Sequence, residues 1–313
     1  MSKYLVSGSG GFLGFYLAKK LAEQGHSVVA VDVELQVGSQ SRMVELEAID
    51  GIEVIRGDLT NEEFVSTLPS VDGVYHMAAL NGTQKFYSDP WKVVRHSTIP
   101  TITLLERYGR DPLEFFFYAG SSEAYASSIT KFGWEVPTKE DVPLGIQDPK
   151  EVRWSYGGSK LHGEIAVFAA AVELGTPAVV GRFHNAYGPN MGIHHVIPDF
   201  IERGKNGVFE LYGANNTRSF IYIDDAIESV IAVANNAVGE VVNIGSPNEI
   251  NMIDLAQIIM EEAGWSGEVK NFDAPVGSVL RRAPDISRLA EIIDVEKFVN
   301  LNEGIRRTLP SYL

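Results

Sequence analysis

Tyr4-Leu5-Val6, then Gly8-Ser9-Gly10-Gly11, then Phe12-Leu13-Gly14 with Tyr16, Leu17 and Leu21 at helical spacing, reads as a strand, a glycine turn and a helix. The spacing Gly8-x-x-Gly11-x-x-Gly14 leaves room for the backbone to approach a pyrophosphate, whose charge the amide end of the helix would face. A tight strand-to-helix turn needs the same glycines and no ligand. The next apolar run, Val28 to Asp32, bears on that choice. Asp32 ends it 18 residues past Gly14, near the spacing at which a carboxylate binds the ribose hydroxyls of a dinucleotide. A carboxylate there repels a 2′-phosphate, and Val33-Glu34 offers no basic residue to receive one, so the expected cofactor is NAD rather than NADP. Gly8, Gly11, Phe12, Leu13, Gly14 and Asp32 are its expected contacts. Asp58-Leu59, after the third strand, can accept from the adenine amino group, although Asp58 is equally suited to cap a helix.

Outward from the turn the pattern repeats. Val54 to Asp58 and Gly73 to Met77 read as the third and fourth strands, Glu114 to Ala119 and Pro177 to Arg182 as two more, with helical patterns between them. Strands alternating with helices imply right-handed crossovers and a parallel sheet. Beyond residue 185 the rhythm changes to short segments rich in Gly, Pro and Asn around 186–218, then helices at 224–236 and 251–263. The expected architecture is α/β: a Rossmann-type doubly wound parallel sheet with a smaller, interleaved C-terminal lobe. The expected division is 1–182 for the NAD-binding domain, with parts of 219–245 returning to it, and 183–313 mainly for the substrate lobe.

At 313 residues the chain can bury a large core, and 45% hydrophobic against 21% charged residues excludes disorder as its default state. Its 26 basic and 41 acidic residues leave a net charge of −15, which repels polyanions and argues against a nucleic-acid partner. An anionic ligand then needs its own local arginines. With no cysteine, thiol nucleophiles, thiolate metal sites and disulfides are excluded together, and no metal site is expected. Met1-Ser2-Lys3 leads directly into an apolar run too short to span a bilayer, so the expectation is a soluble, cytoplasmic protein with no membrane partner.

Tyr156-Gly157-Gly158-Ser159-Lys160 places a phenol and an ammonium four residues apart, on one face of a helix that continues through Leu161, Ile165 and Phe168. An ammonium there can lower the phenol pKa, and a phenol so tuned can exchange a proton with a sugar or alcohol hydroxyl while a nicotinamide exchanges the hydride. An exposed Tyr–Lys pair would look the same in isolation. Ser121-Ser122-Glu123, however, follows the strand ending near Ala119, where open parallel sheets bind their ligands.

These residues carry a resemblance. With His76-Met77-Ala78-Ala79, the Ser-Ser-x-x-Tyr segment ending at Tyr125, Arg182-Phe183-His184-Asn185-Ala186-Tyr187-Gly188-Pro189, Arg218 to Asp225, Asn243-Ile244-Gly245 and Arg282-Ala283-Pro284-Asp285, the chain resembles the extended short-chain dehydrogenases/reductases of the NAD-dependent nucleotide-sugar epimerase/dehydratase group, nearly end to end. The resemblance implies that Ser121 is the hydroxyl partner of the reacting oxygen, Tyr156 the acid/base and Lys160 the residue that binds the nicotinamide ribose. It adds Ala78 to the cofactor contacts and Ser122, His184, Asn185, Arg218 and Arg282 to those of a nucleotide-diphosphate sugar, UDP- or GDP-linked. Ser97 and Pro100 depart from the group, which commonly carries Asn and Gly there.

In this group, removal of hydride from sugar C4 opens the reaction, and the fate of the ketone names the enzyme. The leading expectation is a 4-epimerase, in which the hydride returns with inversion. Glu123 stands where sugar 4,6-dehydratases and UDP-glucuronate decarboxylases carry glutamate, so the alternative is a dehydratase or decarboxylase with Glu123 as base at C5. Glu123 as an ordinary hydrogen-bonding loop residue is the opposing reading. A net 4-dehydrogenase and a non-catalytic NAD-binding regulator complete the alternatives. Residues 184–189 and 217–220 resemble GDP-mannose 3,5-epimerases, which carry a cysteine at the position of Glu123; their chemistry cannot transfer intact to a chain without cysteine. His184, His194 and His195 are candidate acid/base or substrate contacts. The group is commonly dimeric through two helices, here near 93–108 and 155–172, so a homodimer is expected. Val93, Val94, Leu104, Leu105, Ile165, Phe168 and Val172 are either its seam or core.

Overall fold

A computed structural model describes residues 1–33, 41–193, 195–207, 209–273 and 279–313. Strands β1 (Lys3–Ser7), β2 (Ser27–Asp32), β3 (Ile52–Arg56), β4 (Gly73–His76), β5 (Phe115–Ser121) and β6 (Ala178–Phe183) are the six expected from the apolar runs, with β3 ending two residues earlier than its run. The remaining strands are β7 (Asn185–Tyr187), β8 (Phe209–Tyr212), β9 (Thr217–Tyr222), β10 (Val241–Ile244), β11 (Glu249–Asn251), β12 (Val269–Phe272) and β13 (Arg281–Arg282). A seven-stranded sheet runs in the order β10-β6-β5-β4-β1-β2-β3, and every pairing in it is parallel. The strand order reverses between β1 and β4. A crevice therefore opens at their carboxyl ends, where the glycine turn follows β1 and Met77-Ala78 follows β4.

Alternate residues of each strand face opposite sides of the sheet. Leu5, Val29, Val31, Val74, Phe116, Tyr118 and Val180 enter one apolar cluster, whereas Tyr4, Val6, Val28, Ala30, Tyr75, Phe115 and Phe117 enter the other. Helices cover both faces, which is why these strands read as continuous apolar runs rather than alternating ones. All seven residues of β5 are buried.

The helix Ser155–Leu174, which bears Tyr156 and Lys160, ends at Gly175 with φ +81°. It is fastened to β6 by a buried bidentate pair: Arg182 Nε donates to Glu164 Oε1 at 3.0 Å and Nη2 to Oε2 at 2.9 Å. Pro100 lies inside the helix Pro90–Tyr108, which packs beside it.

A smaller sheet has β9 between β11 and β13, with β7 also paired to β9, and β8 pairs with β12. The Arg182–Pro189 run thus feeds two sheets, because β6 belongs to the large one and β7 to the small one. His184 lies at the crossing. The short segments of 186–218, whose pattern predicts no helix, contain one at Val196–Lys205, with Ile197, Phe200 and Ile201 buried. Prolines and glycines near it obscured a ten-residue amphipathic pattern. The helices at Ile223–Asn236 and Met252–Ala263 lie where the periodicity put them. Among the described residues no helix is long and apolar enough to cross a membrane.

Candidate active site

A cleft of about 450 Å³ lies at the crevice, lined by the glycine turn, the end of β5 and the chain around β7. Its wall unites Gly8, Gly11, Phe12, Leu13 and Gly14 with Ser121, Ser122, Glu123, Tyr156 and Lys160, and with His184, Asn185 and Arg282. Asp32, Asp58, Leu59, Ala78 and Arg218 do not contribute to that wall.

The glycines are where close approach demands them. A Cβ on Gly14 would fall 2.2 Å from the Gly8 carbonyl oxygen, and one on Gly8, whose φ is +76°, would lie 2.7 Å from the Ala78 amide nitrogen. The helix Phe12–Glu23 begins at Gly11 with no side-chain cap, so its first amides face the cleft end of the turn. Asp32 accepts from the Gly10 amide at 2.9 Å and the Val33 amide at 2.7 Å, yet burial raises its pKa to about 6. This bare backbone cradle with a carboxylate beside it fits a dinucleotide. Asp58 accepts from the Thr60 amide at 2.8 Å in a turn of its own, and Asn61 caps the following helix, so the capping role offered for Asp58 belongs to Asn61. Glu34 and His194 lie outside the described residues.

Tyr156 is buried against Phe86, their rings stacked at 5.1 Å and 12°. Lys160 is also buried, and its Nζ donates to the Ala119 carbonyl at 2.7 Å. Burial lowers the Lys160 pKa to about 7, against the pull of Glu164. The four-residue spacing does bring the two groups together, but the ammonium sits 5.7 Å from the phenol ring centre. The expected lowering of the phenol is absent from this arrangement. Burial first and Glu123 second push the Tyr156 pKa up, and the neighbouring Ser121 hydroxyl draws it partly back. Ser121 also accepts from the Glu123 amide at 3.2 Å, starting the turn that carries Glu123.

Glu123 is spoken for. Its Oε1 accepts from Arg282 Nη1 at 2.6 Å and its Oε2 from Arg153 Nη1 at 3.1 Å. Burial would raise its pKa, but the two guanidiniums overcome this and hold the carboxyl at about 2. Arg282, expected on a diphosphate, pairs with this carboxylate, and its buried Nε has no hydrogen-bond partner among the described residues. Arg218 lies behind it: Nη1 donates to the Thr217 carbonyl at 2.7 Å, and burial, then Arg282, lowers its pKa to about 9. Asn185 Nδ2 donates to the Ser219 carbonyl at 2.8 Å, joining β7 to β9. The His184 ring is hydrogen-bonded through Nε2 to the Tyr125 hydroxyl at 2.5 Å, and burial, Arg282 and Arg182 lower its pKa to about 3. His184 is therefore a neutral group at the cleft, and His195 also lines it.

Sequence reasoning missed Phe86, which frames the phenol, and Arg153, which shares Glu123. Arg153 lies three residues before Tyr156, in a short turn that leads into the same helix. Its charge among apolar neighbours was the available signal.

Residues 4–245 match the model of the NAD dependent epimerase/dehydratase family. The chain is similar to UDP-glucuronic acid decarboxylase 1 of Xenopus tropicalis, 27% identical over 311 residues covering 98% of this chain and 71% of that protein. It is also similar to GDP-mannose 3,5-epimerase 1 of Oryza sativa subsp. indica, 28% identical, with 97% of this chain and 79% of that protein covered. It shares its fold with the crystal structure of UDP-glucuronic acid 4-epimerase from Bacillus cereus in complex with UDP-glucuronic acid and NAD, with a TM-score of 0.86, 24% identity, and 99% and 98% of the two chains covered.

Proposed function

Because the chain belongs to the NAD-dependent epimerase/dehydratase family, we propose that it is an epimerase of nucleotide-diphosphate sugars that oxidises the sugar at C4 and returns the hydride with inversion. The observation that carries this reading is the double ion pair on Glu123. A carboxylate held at about pH 2 by two arginines is a poor base for the C5 proton, so a 4-keto sugar formed here is more readily re-reduced than dehydrated.

Bound NAD supplies the acceptor and then the donor of the C4 hydride, leaving no net oxidation. Tyr156 takes the C4 hydroxyl proton as the hydride leaves and gives it back after the sugar turns over, and Ser121 donates to the reacting oxygen. Lys160, at the level of Ala119, is positioned for the nicotinamide ribose. Gly8, Gly11, Phe12, Leu13 and Gly14 are the pyrophosphate cradle, Asp32 holds the adenosine ribose, and Asp58, Leu59 and Ala78 flank the adenine side. Ser122, His184, Asn185, Arg218 and Arg282 surround the sugar diphosphate. The lobes divide as 1–182, with parts of 219–245, for NAD and 183–313 mainly for the sugar nucleotide.

One observation favours a second reading. The unpartnered Nε of Arg282 can receive a sugar carboxylate, and a 4-ketouronate loses carbon dioxide without any base, so Glu123 need not titrate. The test is incubation of the protein and NAD with UDP-, GDP- and dTDP-hexoses and UDP-glucuronate, followed by liquid chromatography with mass detection. A product of unchanged mass supports the epimerase. Loss of carbon dioxide replaces it with the decarboxylase, and loss of water or accumulation of NADH rejects both.

Dinucleotide binding should depend on pH through Asp32. Only the ionised carboxylate can accept from both ribose hydroxyls, and it protonates as pH falls through about 6. NAD affinity is expected to be about tenfold weaker at pH 5 than at pH 8 by linkage, read from titrations of protein fluorescence. A flat affinity would remove Asp32 from the ribose.

We further propose that the protein is a homodimer through the helices Pro90–Tyr108 and Ser155–Leu174. Val93, Leu104 and Leu105 are core, whereas on the two helices Ile165 and Val172 are 62% and 90% exposed, Trp91 and Ile102 are also exposed, and Val94 and Phe168 are half-buried. Ile165→Arg combined with Val172→Asp should yield a monomer in sedimentation without loss of the helix signal in circular dichroism.

A further inference from the structure

Three side chains from distant parts of the chain donate to three consecutive backbone carbonyls. Tyr16 Oη reaches the Pro189 oxygen at 3.0 Å, Arg42 Nη2 bonds to the Asn190 oxygen, and Tyr312 Oη reaches the Met191 oxygen at 2.6 Å. Asn190 holds φ +56°, a left-handed conformation that Asn tolerates better than most residues with a side chain, and its own carbonyl and the carbonyls on either side of it are the ones fixed. Arg42 is 6% exposed, lies over the Phe15 ring at 5.6 Å, and also donates through Nη1 to the Gly10 carbonyl at 3.3 Å. A single buried guanidinium thus ties the cofactor's glycine turn to the segment 189–191. Met191 of that segment enters the same cleft wall as Gly11 and Phe12, and a Cβ on Gly188 would lie 3.5 Å from the Phe12 ring.

We propose that Tyr16, Arg42 and Tyr312 form a clamp that closes segment 189–191 over the glycine turn and gates the entry and exit of the dinucleotide. The three bonds run from protein to protein, so they favour the closed cleft with or without cofactor and slow passage in both directions. A hydride that leaves and returns within one turnover needs no exchange of NAD, so a slow gate suits a resident cofactor; that purpose rests on the epimerase reading, but the gate itself does not. The three residues are positioning residues, because they act through the segment they hold.

The test loads the full chain with 1,N6-etheno-NAD and follows its uptake and its displacement by excess NAD in a stopped flow. In Tyr16→Phe/Arg42→Gln/Tyr312→Phe, association and dissociation should both quicken about tenfold, with the dissociation constant changed by less than about threefold. Dissociation that quickens while association does not would mean lost cofactor contact and would overturn the gate. Rates within twofold of the parent in a variant that melts normally would do the same. Should the triple variant fail to fold, Tyr16→Phe/Tyr312→Phe removes only two oxygens and should quicken both rates about threefold. Because the readout is dinucleotide exchange, the result is independent of which product the sugar panel yields.

Discussion

Tyr156→Phe is expected to lower kcat by about 10²–10⁴-fold, the usual contribution of a positioned acid/base, while NAD binds as before. The substitution removes one oxygen and leaves the ring, so stacking on Phe86 and burial in the cleft are retained. What is lost, on the proposed reading, is the group that takes the C4 proton. In the arrangement described, burial and Glu123 keep that phenol protonated, so the geometry alone does not supply an activated base. On the proposed reading, activation comes with the bound substrates, through the Lys160 ammonium and the Ser121 hydroxyl. Lys160, with its pKa near 7, loses charge as pH rises through neutrality, which weakens its support of the phenolate, whereas the phenol itself ionises more readily as pH rises. The measurement is steady-state turnover with NAD titrated in parallel. Turnover within about threefold of the parent would remove Tyr156 from the chemistry, and loss of NAD binding would make its role structural.

The sequence made the sheet and the glycine turn legible for a physical reason. Parallel strands covered on both faces must be apolar throughout, so runs such as Phe115 to Ala119 betray themselves, and a turn whose glycines would collide with Gly8 or Ala78 if given a Cβ tolerates little else. Tyr156 and Lys160 were visible through helical periodicity. Less visible was anything that depends on partners distant in sequence. Glu123 and Arg282 stand 159 residues apart and Arg153 lies in an undistinguished turn, so the sequence offered Glu123 as a base and Arg282 as a phosphate ligand without showing that they pair. Spacing likewise placed Lys160 beside Tyr156, but the carbonyl that takes its ammonium belongs to β5. The carbonyls held by Tyr16, Arg42 and Tyr312 carry no side-chain signature at all.

The second large effect concerns the arginine that the cleft shares with Glu123. Arg282→Met is expected to lower stability by about 3 kcal/mol, toward the smaller end for breaking a buried pair because Arg153 remains. The sign follows from the carboxyl itself. Two guanidiniums depress its folded pKa to about 2 against the raising effect of burial, so it contributes stability above its unfolded pKa of 4.5 that is lost as pH falls from there through 2. In Arg282→Met the carboxyl titrates higher, closer to its unfolded value, so less stability remains to be lost on acidification; the deficit against the parent should be largest at pH 7 and shrink toward pH 3, visible in denaturant melts at pH 3, 5 and 7. Adding Glu123→Gln removes the stranded charge and should restore part of the stability. It should not restore substrate affinity. If Arg282 also grips the sugar nucleotide, KM rises about 10–100-fold in both the single and the double variant, the worth of one charge-assisted contact. Recovery of KM together with stability would instead make Arg282 a partner of Glu123 alone, and the diphosphate would have to be held by Asn185 and Arg218.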